Sequence, residues 1–287
     1  MKYSHRFFLY APISACCLLL AAAGIHWWLA ISAFSRQLDA LNGHQAMPGV
    51  TLRFSSKETY GFPFRADAIL GDFEIDIDAP RGRLVWKTRE FAMHALTYGP
   101  EKKIFEAAGP QTLEWTGRDG KRHAIAFLPA RLRASSESDG RGLVRFDLDL
   151  IGAGRHGFTL DRAQFHLRRN PSGAMLDFIV SLERLKLAHA GRFGDALKSA
   201  QLNGTLGPVK PLEGLLKGEM RWQDAADAWR VAGGRLQIPS GDLRWNKADL
   251  AVHGALMLDA RKKPAGDLRV TANGALLPDP LGSAPLY

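Results

Sequence analysis

The chain holds only two cysteines, Cys16 and Cys17, and both sit in an apolar run near its N-terminus. Beyond that run a chain exported to an oxidising compartment has no disulfide to form, so burial and sheet pairing must carry its stability. The same absence excludes thiolate metal sites and cysteine nucleophiles. Charge is missing at the start: no Asp, Glu, Lys or Arg occurs between Phe7 and Phe34. The signatures of common catalysts are missing too, with no G-x-S-x-G elbow, no phosphate-cradling G-x-x-x-x-G-K-[ST] loop and no G-x-G-x-x-G following a strand. The nine histidines, among them His123, His156, His166, His189 and His253, show no H-x-H or H-E-x-x-H spacing. The expectation is a protein that is not an enzyme and uses no cofactor or metal.

What is present begins with that uncharged run. Its 28 residues would make a helix of about 42 Å, against a hydrocarbon core of about 30 Å. Three processing fates overlap there. "ISAC" (13–16) resembles a lipobox at Cys16, and "AAAG" (21–24) resembles a signal-peptide cleavage site. Lipidation would leave a greasy remnant from Leu18, Leu19 and Leu20 to Phe34, and cleavage would leave Trp27 and Trp28 near a free end in water. An uncut anchor satisfies Phe7, Leu18, Leu19, Leu20, Trp27 and Trp28 together, with the tryptophans in the outer aromatic belt. Lys2 and Arg6 precede the run and favour a cytoplasmic N-terminus. The expected layout is a cytoplasmic tail (1–6), a transmembrane signal anchor (7–34), a helical stalk (35–46) stopped by "LNG", and a periplasmic β-rich domain (47–287). That places the protein in the inner membrane, single-pass.

From Val50 the hydrophobic period changes to two. "FPFRADAIL" alternates through Phe62, Phe64, Ala66, Ala68 and Leu70, and "FEIDIDA" through Phe73, Ile75 and Ile77. Further runs of this kind follow, including "LVRFDLDLIGAG", "FTLDRAQFHLRR" and "AMLDFIVSLERLKLAH", separated by turns rich in Gly, Asn, Asp and Pro. Two short helices are expected, a single turn around "RFGDALKS" and a longer one in "WQDAADAWRVAGG". The fold class is mainly β: a long twisted antiparallel sheet with two short helices after one N-terminal transmembrane helix. Whether the sheet forms an apolar groove or a closed core stays open. The candidate groove or core residues are Phe62, Phe64, Phe73, Ile75, Ile77, Trp86, Trp229 and Trp245.

The alternate acids Glu74, Asp76 and Asp78 project on one side of a strand about 6.8 Å apart. They have the spacing of a cation or acid/base cluster, but a solvated sheet face gives the same pattern and is the better reading. The basic pairs and triplet Lys121-Arg122, Arg168-Arg169 and Arg261-Lys262-Lys263 fall at turns. They suit anionic headgroups or lipopolysaccharide, or simply keep hairpin tips soluble. Nucleic acid is not an expected partner in that compartment.

The blocks "YGFPFR" (60–65), "LTYGP" (96–100), "AWRVAGGRLQI" (228–238), "GDLRWNKADLAVHGALMLD" (241–259) and "PAGDLRVTANG" (264–274) occur in an order that resembles an uncharacterised alphaproteobacterial envelope family, domain of unknown function family 2125. The C-terminal blocks are also similar to the strand-turn grammar of AsmA-like envelope proteins, whose strands build a curved sheet with an apolar inner groove. The resemblance implies a membrane-tethered envelope protein and assigns no catalytic residues. With it the leading expectation is a protein that holds or passes lipid acyl chains on its sheet. The alternative is an assembly factor pairing through sheet edges with another envelope protein, and an envelope hydrolase comes last.

Overall fold

The computed structural model describes residues 5–79, 82–117, 120–155, 157–191, 194–246, 248–272 and 275–276. Helix α1 (His5–Leu41) leads into one antiparallel sheet of sixteen strands. The strands are β1 (Gln45–Met47), β2 (Val50–Arg53), β3 (Ser56–Tyr60), β4 (Arg65–Ala79), β5 (Gly82–Leu96) and β6 (Gly99–Thr116). They continue as β7 (Arg122–Phe127), β8 (Arg131–Asp139), β9 (Gly142–Arg155), β10 (Phe158–Arg169), β11 (Leu176–Gly191) and β12 (Gly194–Gly207). A helical insert follows, made of a 3-10 turn (Lys210–Leu212), α2 (Glu213–Leu216) and α3 (Trp222–Val231). The sheet ends with β13 (Arg235–Trp245), β14 (Ala248–Leu258), β15 (Pro264–Ala272) and β16 (Ala275–Leu276). From β9 to β16 each strand lies beside its sequence predecessor, while β8 pairs with β6. The expected class holds: mainly β, one long antiparallel sheet, preceded by a long apolar helix.

Two local expectations change. The segment "RFGDALKS" is no helical turn from Gly194 onward but the start of β12, paired with β11 on one side and β13 on the other. Two ladders override a weak local helix preference. Second, "FPFRADAIL" from Arg65 onward and "FEIDIDA", which read as separate runs, are joined in β4, 15 residues long, and β6 extends to 18, where about 5–6 is usual. The join in β4 is Asp72, at φ 47°. Before it Ala66, Ala68 and Leu70 carry the apolar phase; after it the phase slips by one, to Phe73, Ile75 and Ile77. The kink reconciles the two. Ile75 from the later phase and Phe91, the partner of Leu70 in the earlier one, line the same hollow. In β6 the matching irregularity is at Gly109, at φ 81°. Buried Gln111 pins it, donating to Thr88 Oγ1 at 2.8 Å and to the Gly109 carbonyl at 3.1 Å.

Helix α1 divides into two halves. Its first half is exposed apolar surface, with Leu18 71% exposed and Leu19 and Leu20 close to it. In the second half Trp27, Ile31, Phe34 and Leu38 recur at spacings of four, three and four, one stripe of a helix. Ile31 and Leu38 are buried, and Leu38 joins Ala68, Leu70, Phe73, Phe91 and Ala107 in the hydrophobic core. Each fully buried side chain of this size contributes about 1.5–3 kcal/mol. Polar ties fix the register: Lys57 Nζ donates to the Ser35 carbonyl at 2.9 Å and meets Asp39 Oδ1 at 2.5 Å. Asn42 and Phe54 exchange two further bonds. The segment expected to be a stalk thus continues the long apolar helix and is part of the folded unit, which a cut at residue 47 would open.

The sheet is strongly rolled, and α3 measures the roll. Between β4 and β14 lie nine inter-strand steps, about 43 Å along the sheet. Yet α3, ten residues and about 15 Å long, touches both. At its start Trp222 Nε1 donates to the Asp78 carbonyl on β4 at 2.7 Å. Further along, Asp227 pairs with Lys262 in the β14–β15 turn at 3.7 Å, and Lys262 Nζ also donates to the Gln223 carbonyl. Buried Ala225 and Trp229 seat the helix.

Candidate functional site: an apolar hollow along the sheet

Cross-strand partners share a sheet face, so the register defines what the inner face carries. One row runs Ala68, Met93, Phe105, Ala134, Leu148 and Phe165 from β4 to β10. It continues through Val180, Leu202, Gly241, Val252 and Val270 to β15. The adjacent row starts Leu70, Phe91, Ala107, Leu132 and Leu150, then passes Ala163, Leu182, Ala200, Leu243 and Leu250 to Ala272. Neither row contains a polar side chain. Gly241 is no gap: the Leu202 side chain lies over it, 2.6 Å from where a Cβ would stand. Ten inter-strand steps make each row about 48 Å long.

At the centre of these rows the roll encloses a hollow of about 600 Å³. Its walls include Trp86, Phe105, Phe127, Phe146, Leu148 and Phe165, with Glu106 and Gln164 the polar residues on its border. From Ala134 on β8 to the far edge the row residues are half-buried, except Gly241, which Leu202 covers. Within β4 to β6, by contrast, Ala68, Leu70, Phe91 and Ala107 are buried beneath α1.

The opposite face is charged and paired. Arg53 meets Glu74 at 2.7 Å, Lys87 meets Glu114 at 2.9 Å, and Arg83 pairs with Asp76. The Arg83 hydrogen bond outweighs desolvation and holds the Asp76 carboxyl below the usual range. Glu74 and Asp76 therefore serve as ion-pair partners on a solvated face. Asp147 takes bonds from His166 Nδ1 and Arg145 Nε, each at 2.7 Å, and Arg162 Nε donates to Asp149 at 2.7 Å. Burial raises the Asp147 carboxyl, but the His166 and Arg145 bonds win and lower it. Among the described residues no three His, Cys, Asp or Glu side chains converge as a bound metal would need. The basic turn residues are partly used internally, since Arg169 is buried beside Glu213 and Lys262 ties α3.

Of the eight candidate groove or core residues, Ile75 and Trp86 line the hollow. Phe73 is buried beside it, stacked on Phe91 at 4.2 Å, and Ile77 is half-buried between Val50 and Leu84. The other four lie elsewhere. Phe62 and Phe64 occupy the β3–β4 turn and are 61% and 59% exposed, because β4 begins only at Arg65 and the alternation read through them stops there. Trp229 is buried in the seat of α3 against Gly234, and Trp245 donates to the Gly194 carbonyl at 3.0 Å. Of the anchor residues, Leu18, Leu19, Leu20 and Trp28 are exposed on α1 and Trp27 bonds the Arg65 carbonyl; the side chain of Phe7 lies outside the described residues. The middle-strand liners Phe146, Leu148, Phe165 and Val180 were not singled out. Their signal in the sequence is the strict alternation in "RFDLDL" and "AQFHL".

Fold and site define a class: a single rolled antiparallel sheet with a continuous apolar inner face, led by one helix, Tyr10–Leu41 in its described part, apolar and long enough to cross a membrane. The chain belongs to the bacterial family described as "Uncharacterized protein conserved in bacteria (DUF2125)", which it matches over residues 27–276. No curated protein and no solved structure matches it.

Proposed function

We propose that this is an inner-membrane-anchored envelope protein that holds or passes lipid acyl chains along its apolar sheet face without catalysing a reaction. The observation that carries it is the pair of uninterrupted apolar rows across eleven successive strands, left half-open around a hollow. Soluble monomers rarely leave a contiguous apolar surface beyond a few hundred Å² unless something binds there. The hollow's volume falls in the range of about 300–1,000 Å³ seen for small-molecule sites. Its lining offers dispersion contact and almost no hydrogen bonds, which suits a hydrocarbon chain and recognises no polar substrate. α1 supplies the tether, and Lys2 and Arg6, ahead of its uncharged run, favour the non-cytoplasmic side for the sheet.

The test is photo-crosslinking of the full chain, purified in mild detergent, to a phospholipid bearing a diazirine near its acyl terminus. Adducts should map to Leu148, Phe165 and Val180. Adducts confined to α1, or none, would sink the reading. A second reading has its own observation: beyond the short pairing with β16, the outer edge of β15 has no neighbouring strand among the described residues. Such an edge accepts a strand from another envelope protein. Crosslinks from Leu268 to a single protein, with no lipid adduct, would favour it.

A further inference from the structure

We infer that the turn 61–64, together with Tyr98, is a second membrane contact that dips into the outer leaflet beside α1. Phe62, Phe64 and Tyr98 are 61%, 59% and 70% exposed. They form one cluster, because Thr97 donates both its backbone N–H (3.0 Å) and its hydroxyl (3.1 Å) to the Phe64 carbonyl. The cluster is locked to the helix. Trp27 Nε1 donates to the Arg65 carbonyl at 2.8 Å, the Trp27 and Phe62 rings meet edge-on at 5.4 Å, and Phe62 reaches within 3.9 Å of where a Cβ on Gly24 would stand.

These contacts fix a depth. This step rests on α1 spanning the membrane. The helix is uncharged from Phe7, and twenty residues cover the hydrocarbon at about 1.5 Å each, which brings its outer boundary to about Trp27. Phe62, held against Gly24 and Trp27, then lies at that boundary, with Phe64 and Tyr98 carried on the same pair of turns. Trp27 and Tyr98 favour that level because an apolar ring meets hydrocarbon while a polar N–H or O–H meets headgroups, and the Phe62 and Phe64 rings add apolar surface for the hydrocarbon below. Arg65 and Lys102, with exposed side chains just beyond the turns, sit where phosphates would be. One helix alone leaves the sheet free to swivel; a second contact sets its orientation. The inner row begins at Ala68, three residues from Arg65, so the apolar rows start about 10 Å above the turn, still roofed by α1 there.

The experiment uses the full chain with Cys16→Ser and Cys17→Ser, carrying single NBD-labelled cysteines in place of Leu19, Phe64, Tyr98 or Arg261. Each protein is reconstituted into vesicles of phosphatidylcholine and phosphatidylglycerol containing lipids with a nitroxide at shallow or deep positions. Labels at 64 and 98 should be quenched severalfold more by shallow nitroxides than the label at 261, and the label at 19 by deep ones. Deep quenching at 19 with none at 64 and 98 overturns the second contact and leaves the anchor standing. No quenching at 19 overturns the anchor, and this inference with it. Position 98 is read independently of 64, so a disturbed 61–64 turn cannot by itself produce the negative result.

Discussion

Strands β4 to β6 and strands β9 to β12 carry the same alternation of apolar and charged side chains, yet they meet different fates. The first set is roofed by the second half of α1, which turns Leu70, Phe73 and Phe91 into core. The second set has the same kind of inner face and no roof among the described residues, so Leu148, Phe165 and Val180 stay half-buried. Alternation therefore encodes a face and leaves its cover undecided. The cover comes from a segment far away in sequence. Where it is lacking, the apolar face is available to a ligand instead of spent on stability.

The sharpest way to break this contrast is to truncate one phenylalanine in each set. Phe73→Ala should cost about 3–5 kcal/mol, as for deeply buried aromatics. Phe165→Ala should cost less than half of that, because part of its surface already meets solvent. Urea titration of the full chain in detergent, followed by tryptophan fluorescence, measures both, and equal losses would erase the distinction. Next comes the roof itself. Leu38→Ala should lose about 2–3 kcal/mol, the low end for such truncations because a helix can shift to fill the space. Leu18→Ala, on the exposed half of α1, should change the same transition by no more than about 0.5 kcal/mol.

A smaller effect is expected where the roll is tied. Trp222→Phe removes the bond to the Asp78 carbonyl, worth about 0.5–1.5 kcal/mol net. Its clearer readout is the distance between spin labels at Arg83 and Arg261, which should broaden; an unchanged distribution would deny α3 its tying role. The smallest effect belongs to the charged face. Asp147 titrates lower in the folded state than in the unfolded one, so its pairing stabilises at neutral pH and fades as pH falls through the lowered value. Asp147→Asn should cost less than about 1 kcal/mol at neutral pH and nothing measurable in acid below that value. A penalty that persists in acid would point to packing rather than charge.

Much of the architecture was legible because period-two alternation is local. The long apolar helix, the sheet class and α3, with its early Asp224 and late Arg230, could each be read from a short window. What escaped was set by distant partners. Phe62 and Phe64 fit the alternation of the strand after them, but a turn docked on Trp27 took them out of it. The stretch after Gly194 had helical composition, and its neighbours β11 and β13 decided otherwise. Of the tryptophans read as groove or core, Trp229 is core in the seat of α3 and Trp245 is tied to Gly194, while smaller leucines at the right register line the hollow. The phase slip at Asp72 hid the unity of β4, since two half-strands of opposite parity read as two strands.

The near-sequential order of the sheet also has a consequence in time. A chain emerging from its N-terminus presents α1 and β2 to β6 first, and these already contain the roofed core. Each strand from β9 onward then finds its partner in the strand just before it, waiting at the growing edge. Only α3 must wait: its first contact, on β4, is present when it emerges, while its second, Lys262, arrives two strands later. Until that residue is made, the roll is a sheet still free to open, and the strap that fixes its curvature is fastened last.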